Sequence, residues 1–477
     1  MDFISVEFAI LAILTPVVYY LIKPTYRVIY LSLVSCGFLA TFHYTLIIYV
    51  ILFTLFNYYF GKKIPRASNK LGVYRLGILL NIAQLVIFRY ASFAIDPIFG
   101  FFNTSIQVSV ISEIIITIGI SYFTLQGIGY LTNVKMGWEK PEKRIHHLFL
   151  YIAFFPKFLS GPIERSNHFL PQLTQNSSFK YDNIRSGLKL MLYGFFRKIA
   201  VADQIAPFIT NTFHNVETAD GASLIILLLL LPVYLYFDFS GYTNIAIGAA
   251  KLFGVDLLPN FNRPFFSENM TMFWKRFHIS LSSWFNDYIF RQVSFRRRKW
   301  GVYASVYALL LTWVLFGIWH GAGWNFMILG FLQAMAIIYE FFTKKWRVKL
   351  FSNLPAGLRI WFGRIMTYVF YGSSLVFFFS PDIFSTKQFF INIFGNSGSL
   401  ISVLINEIPM SAYIFILIIL AGELLKEDFD IIYNKIENFW LKEGNLHLVL
   451  RWSAYSIILS IIYVLGNGGQ SFIYVQF

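Results

Sequence analysis

The sequence predicts an all-α, polytopic integral membrane protein. Composition is the first observation: of 477 residues, 57% are hydrophobic and 13% charged, where a soluble domain carries about 25% charged. The second is a mean hydropathy of +0.60. The third is that apolar runs recur along the whole chain, many of them near the ~20 residues that cross a bilayer as a helix.

In chain order the candidate spans are 5–22, 26–41, 44–60, 72–91, 109–131, 145–160, 186–212, 222–252, 301–319, 322–343, 357–379, 408–424 and 448–467. Several are too short, too long or too polar to be simple spans. The expectation is therefore about 10–12 crossings plus re-entrant and interfacial helices, in a single membrane domain over 1–477. Met1-Asp2-Phe3 lacks the basic n-region of a cleaved signal, so the first run is expected to be retained.

Loop charge alternates. Lys23 and Arg27 follow the first run; Lys62, Lys63, Arg66 and Lys70, then Lys135, Lys140, Lys143 and Arg144, and later Lys344, Lys345, Arg347 and Lys349 fill other connections. The loops at 42–44 and 92–108 and the tail from 468 have no Lys or Arg, and 381–408 has only Lys387. The positive-inside rule then puts 61–70, 132–145 and 344–350 in the cytoplasm of a multi-pass cell-membrane protein with both termini outside. It also accounts for the net charge of +15 without nucleic acid.

The centre, about 150–325, mixes Pro, Gly, Asn, Asp, Arg and His with aromatics. Polar, irregular backbone at membrane depth persists only where protein buries it or it lines a wet cavity. Function is expected there. In Phe154–Arg165, Pro156 and Pro162 interrupt an apolar run and Gly161 permits a bend, with Glu164 and Arg165 at the mouth. This is either a broken helix or a re-entrant element lining a substrate path. Asp238 follows the long apolar run from Leu224. It needs a partner, and could brace a basic side chain or orient a histidine.

Phe273, Phe277, Leu281, Trp284 and Tyr288 recur at helical spacing, and Trp274, His278, Ser282 and Phe285 form an adjoining stripe. The spacing predicts an interfacial or half-buried helix that sets His278 beside Ser282, with Asp287 further on. Arg296, Arg297, Arg298 and Lys299 then form a basic run. Topology and anionic lipid explain it, as would a grip on the phosphates of a coenzyme A donor.

Leu311–Asn325 places His320 among Trp313, Phe316, Trp319 and Trp324. An ionisable group at such depth costs roughly 2.5–3.5 kcal/mol unless compensated. Histidine moves a proton near neutral pH. His320 is thus either a functional group or a neutral packing histidine. The only cysteine, Cys36, excludes intramolecular disulfides and cysteine-based metal clusters. No GxSxG, Walker A, HExxH or CxxC pattern occurs, which removes support for serine-hydrolase, nucleotide-triphosphatase and zinc-protease chemistry.

Five segments in order, PKFLSGPIER, YFDFSGYTNIAIGAAKLFG, NFNRPF, FWKRFHISLSSWFNDYIF and LTWVLFGIWHGAGWNFMILG, resemble the membrane-bound O-acyltransferase family. The resemblance covers about 100–340, and its branch is that of bacterial alginate O-acetyltransferase membrane subunits; the D-alanyl transfer protein of lipoteichoic acid is more distant. The closing Phe472–Phe477 is also similar to that branch. The resemblance implies His320 as catalytic histidine, His278 as a second active-site histidine, and helices around a central tunnel. It implies a cytoplasmic acyl-thioester donor (acetyl-CoA or an acyl carrier) as substrate, with no metal and no tightly bound cofactor. It further implies an exported glycan as acceptor and a periplasmic or extracellular partner. One segment departs from the branch: Arg291–Arg296 stands where a Pro-Leu-Gly-Gly-like turn is usual.

The chemistry fits these residue types. Acyl transfer from a thioester to a hydroxyl needs a base for the hydroxyl proton. It also needs donors for the developing oxyanion, for which Trp319, Trp324 and Asn325 are candidates. Two rivals stay open: a transporter or flippase without chemistry, which would also show broken helices, and a structural subunit that recruits a separate transferase.

Overall fold

A computed structural model describes residues 3–101, 119–174, 178–395 and 398–466, with side chains beyond Phe88 in the fourth helix excluded. Residues 102–108, the start of the 109–131 span and the C-terminal tail with Phe472–Phe477 lie outside the described positions, whereas 92–101, expected as part of a loop without Lys or Arg, continue the fourth helix to Phe101.

The described residues are helical, with one isolated bridge between Phe261 and Phe277. They pack as two compact units. One comprises the chain up to Met191 with Tyr242–Pro259; the other comprises Leu192–Gly241 with the chain from Asn260 onward.

The first unit begins with α1 (Val6–Leu21), α2 (Pro24–Ala40), α3 (Tyr44–Lys63) and α4 (Lys70–Phe101). Ser5 caps α1 by accepting from the Phe8 amide, and Pro24 opens α2, where its missing N–H costs nothing. Then come α5 (Ile120–Met136) and α6 (Ile145–Ala153). The predicted 145–160 span ends early at Ala153. Pro156 removes an amide donor, and the chain continues as a 3₁₀ turn, Phe155–Lys157, and an irregular stretch to α7 (Ser166–Thr174).

The break is buried and internally bonded, as irregular backbone at membrane depth requires. The Phe155 amide donates to Ser35 Oγ at 3.1 Å. Tyr151 Oη donates to the Glu164 carbonyl at 2.9 Å. Lys157, 1% exposed, donates to Gln126 Oε1 at 2.6 Å. Gly161 allows the bend because a Cβ there would lie 2.4 Å from Lys157 Cα.

The 186–212 span resolves into α8 (Tyr181–Phe196), a π-helical turn Arg197–Ala202 and α9 (Asp203–His214). The polar residues of that turn face inward, which is why the segment reads too polar for a simple span. Next is α10 (Gly221–Lys251), followed by α11 (Met270–Phe273), α12 (Ile279–Phe285) and α13 (Arg291–Arg296), with a second π turn at Asn286–Phe290. Then α14 (Val302–His320) and α15 (Trp324–Leu350) form a hairpin. Gly317 and Gly330 let the two backbones touch: a Cβ on Gly317 would lie 2.1 Å from the Phe326 carbonyl oxygen, and one on Gly330 2.1 Å from that of Trp313.

The second unit closes with α16 (Ala356–Phe379), α17 (Ile383–Asn392), α18 (Leu400–Asn406), α19 (Met410–Asp428), α20 (Asp430–Leu441) and α21 (Asn445–Leu465). Among the described residues seven helices are long and apolar enough to cross a membrane, or eight if the α18–α19 pair, bent by 96°, is one span. α21 shows what a lipid-facing helix looks like: none of its apolar window is buried, whereas α10 buries 72%.

Candidate active site

The site is built within the second unit. His320 is the last residue of α14 and is 6% exposed. Its ring centroid lies 4.7 Å from Phe316, 4.8 Å from Trp319 and 5.5 Å from Phe378. His278 is 1% exposed. Its ring meets Phe239 edge-on at 4.6 Å and Trp319 at 6.4 Å. The Trp319 ring therefore packs against both histidine rings. Trp274, Trp313 and Phe316 pack beside them: Trp274 lies 4.7 Å from Trp313 and 5.1 Å from Phe316.

The expected continuous helix through 272–290 is not present, and this corrects the stripe that placed His278 over Ser282. The chain leaves helical geometry at Trp274 and re-enters at Ile279. His278 sits between in the left-handed region, φ 44° and ψ 52°. Such a conformation costs a non-glycine residue about 1–3 kcal/mol and persists only where neighbours over-determine it. Asn260 supplies that determination. Its carbonyl accepts the Ile279 amide at 3.0 Å and its side chain accepts the Ser280 amide at 3.3 Å. Ser282 Oγ donates to the His278 carbonyl at 3.1 Å, so it fastens the turn through the backbone.

Asn325 is corrected as an oxyanion donor. It is 2% exposed, but its amide nitrogen donates to the end of α16, to the carbonyls of Phe377 at 3.0 Å and Ser380 at 2.9 Å. It ties the helix after His320 to α16. Trp324 is 63% exposed and sits on the outer surface of the hairpin turn. Of the three candidate donors, only Trp319 lies against both imidazoles.

Asp238 forms an ion pair with Lys198 at 2.7 Å, and Lys198 also reaches Asp203 at 2.5 Å; Lys198 and Asp238 are fully buried. The preceding residue, Arg197, pairs at 2.7 Å with Glu423, which also accepts from Tyr236 at 2.6 Å. Asp287 is half-buried and meets Arg291 at 3.4 Å. Arg296, Arg297, Arg298 and Lys299 are exposed. Arg297 lies 4.6 Å over the Trp300 ring and Arg298 4.6 Å over Phe295.

In the first unit Pro162 and Glu164 are buried and Arg165 is half-buried. Glu164 does not simply pair with its sequence neighbour: His168 Nδ1 lies 2.9 Å away and the Leu258 amide donates to its other oxygen. Hydrogen bonding to Glu164 raises the pKa of His168. Among the described residues no group of three His, Cys, Asp or Glu side chains could hold a metal ion.

Sequence reading gave no individual role to Asn260, which opens the NFNRPF segment, and did not single out Lys198, Arg197 or Gln333. Gln333 accepts from Trp274 Nε1 at 3.1 Å and donates to Ser374 at 2.9 Å. A polar residue inside an apolar helical run was the available signal for Gln333.

The fold and site define a helical membrane protein with two histidines enclosed by aromatic rings. The profile described as MBOAT, membrane-bound O-acyltransferase family, matches residues 143–381, which contain both histidines and their cage. The chain belongs to the membrane-bound O-acyltransferase family. It is 30% identical over 317 residues to a probable alginate O-acetylase AlgI of Azotobacter vinelandii, covering 65% of this chain and 63% of that protein. It is 28% identical over 408 residues to a peptidoglycan O-acetyltransferase of Helicobacter pylori, covering 79% and 75%. It is 31% identical over 247 residues to a teichoic acid D-alanyltransferase of Bacillus subtilis, covering 50% and 62%. The matches thus span less than two thirds of the alginate relatives they align with.

Proposed function

We propose that this protein is an O-acyltransferase that moves an acyl group, acetyl in the first instance, from a cytoplasmic thioester to a hydroxyl of an exported glycan. The observation that carries the reading is the placement of His278 and His320, both buried, against the same Trp319 ring, inside the family-matched stretch. His320 acts as general base. Its imidazole takes the acceptor hydroxyl proton as the oxygen attacks the thioester carbonyl. The tetrahedral intermediate collapses, the C–S bond breaks, and the imidazolium returns the proton to the departing thiolate. His278 contacts or orients the reacting groups, and Trp319 faces the developing oxyanion. The aromatic walls exclude bulk water, which strengthens each of these interactions.

The relatives' names, an alginate O-acetylase, a peptidoglycan O-acetyltransferase and a teichoic acid D-alanyltransferase, support an envelope or exported polymer as acceptor. A tunnel lets a cytoplasmic donor and an extracytoplasmic acceptor, or an extracytoplasmic partner, meet at one histidine. The multi-pass placement in the cell membrane with termini outside rests on loop charge. The test is the base-labile acyl content of exported glycan in cells carrying this chain. His320→Ala should reduce it to the level without the chain at equal protein abundance. Unchanged acylation would refute the reading.

A further inference from the structure

His278 and Arg263 are the two non-glycine residues with positive φ among the described residues, at 44° and 47°. They lie on opposite arms of one short hairpin. Its arms are joined by the Phe261–Phe277 bridge and by the Asn262 amide donating to the Arg276 carbonyl at 2.9 Å. At the outer end Glu427 takes both Arg263 and Arg276, each at 2.8 Å. At the inner end, where His278 turns, the fastening is Asn260.

Asn260 is 1% exposed. Its carbonyl and its side-chain oxygen receive the amides of Ile279 and Ser280, the two residues that follow His278. These amides point toward Asn260 only if residue 278 is left-handed. Were His278 right-handed, Trp274–Ile279 would continue as helix, and the imidazole would follow the stripe that includes Ser282. The left-handed turn instead aims it at Phe239 and Trp319.

We propose that Asn260 is a positioning residue for acyl transfer: it fixes the left-handed backbone of His278 and thereby aims the imidazole into the cage. Its catalytic consequence rests on the proposed acyl-transfer function. The geometric part does not, and the two are tested separately. The backbone part of the fastening survives any substitution, so the side-chain oxygen is the variable. Asn260→Ala removes it, Asn260→Ser offers a shorter acceptor, and Asn260→Asp keeps an acceptor oxygen in place.

The experiment uses the full chain in nanodiscs with two readouts. The first is carbethoxylation of His278 by diethylpyrocarbonate, measured by mass spectrometry, with His147 as internal reference because it is 2% exposed and lies in the other unit. The second is thiol release from acetyl-CoA. Asn260→Ala should raise His278 labelling severalfold while His147 stays constant. It should lower kcat roughly 10- to 100-fold, the scale of about 1 Å of misplacement, with KM for acetyl-CoA unchanged. In a His278→Ala background the same substitution should cost nothing further, and Asn260→Asp should stay near wild type on both readouts. Constant His278 labelling in Asn260→Ala would overturn the proposal. So would a rise common to both histidines in Asn260→Ala and in the milder Asn260→Ser. If labelling behaves as stated but the wild type releases no thiol, the positioning stands and the acetyl-CoA reading fails.

Discussion

Lys198 is predicted to be the most sensitive charged residue of the second unit, and Asp238 much less so. Lys198 Nζ lies 2.5 Å from Asp203 and 2.7 Å from Asp238, with 0%, 4% and 0% of the respective side chains exposed. One ammonium serves two carboxylates. Lys198→Met breaks both contacts and leaves two buried carboxylates beside each other. Breaking a buried pair by removing one partner costs about 3–5 kcal/mol, and the upper end applies here. The cost does not double, because one carboxyl can take up a proton. Asp238→Asn leaves the one-to-one pair of Lys198 and Asp203 intact and keeps an oxygen facing the ammonium. Its cost is that of weakening a hydrogen bond to a charged group, about 1.5–3 kcal/mol. The assay is the thermal midpoint of the monodisperse peak in detergent. Lys198→Met should lower it most, and adding Asp238→Asn to that variant should recover part of the loss. If Asp238→Asn alone falls as far as Lys198→Met, the bracing account is wrong. If it keeps the midpoint but loses acyl transfer, Asp238 belongs to the chemistry.

Asn325→Ala removes two buried hydrogen bonds to the end of α16 and should cost about 2–4 kcal/mol, read as a lower thermal midpoint. Gly317→Ala forces α14 and α15 apart where a Cβ would lie 2.1 Å from the Phe326 carbonyl oxygen; transfer should fall by more than about 1–3 kcal/mol of overpacking accounts for, since His320 is on the next turn. The Arg296→Gln, Arg298→Gln double variant should leave donor-concentration dependence unchanged, because the exposed run stacks on Phe295 and Trp300 as an interfacial anchor; a raised donor requirement would instead assign it to donor binding. Burial pushes the Glu139 carboxyl up to about 7, and Ser166 Oγ donates to it at 2.6 Å. Raised above its ordinary value of 4.5, it favours the folded state when protonated and loses that contribution as pH rises toward about 7. Thermal midpoints should fall across that window, and Glu139→Gln should flatten the profile.

Much of the membrane architecture is legible in the sequence because apolar run length is a local property. The α14–α15 hairpin is the clearest case: Val302–His320 and Trp324–Leu350 end at the glycines that separate them. Loop charge gives an orientation by the same local logic. The position of His278 was not legible. Phe273, Phe277, Leu281 and Trp284 keep helical spacing straight through the break, and nothing local signals the left-handed turn. The fastening comes from Asn260, on the facing arm of the hairpin, so the information is not local to the 272–290 stretch. The same holds for Asn325, whose amide looks available until α16 returns to take it. Asp238 announced its need for a partner, but only the π turn at Arg197–Ala202 identifies Lys198.

The most direct test of the central claim is a turnover measurement on the full chain in nanodiscs with radiolabelled acetyl-CoA and an acceptor polysaccharide. The wild type should release thiol and deposit label on hydroxyls in equal amounts. His320→Ala, folded to the same thermal midpoint, should release thiol only at the rate without protein. Equal thiol release by the two proteins would contradict His320 as the general base.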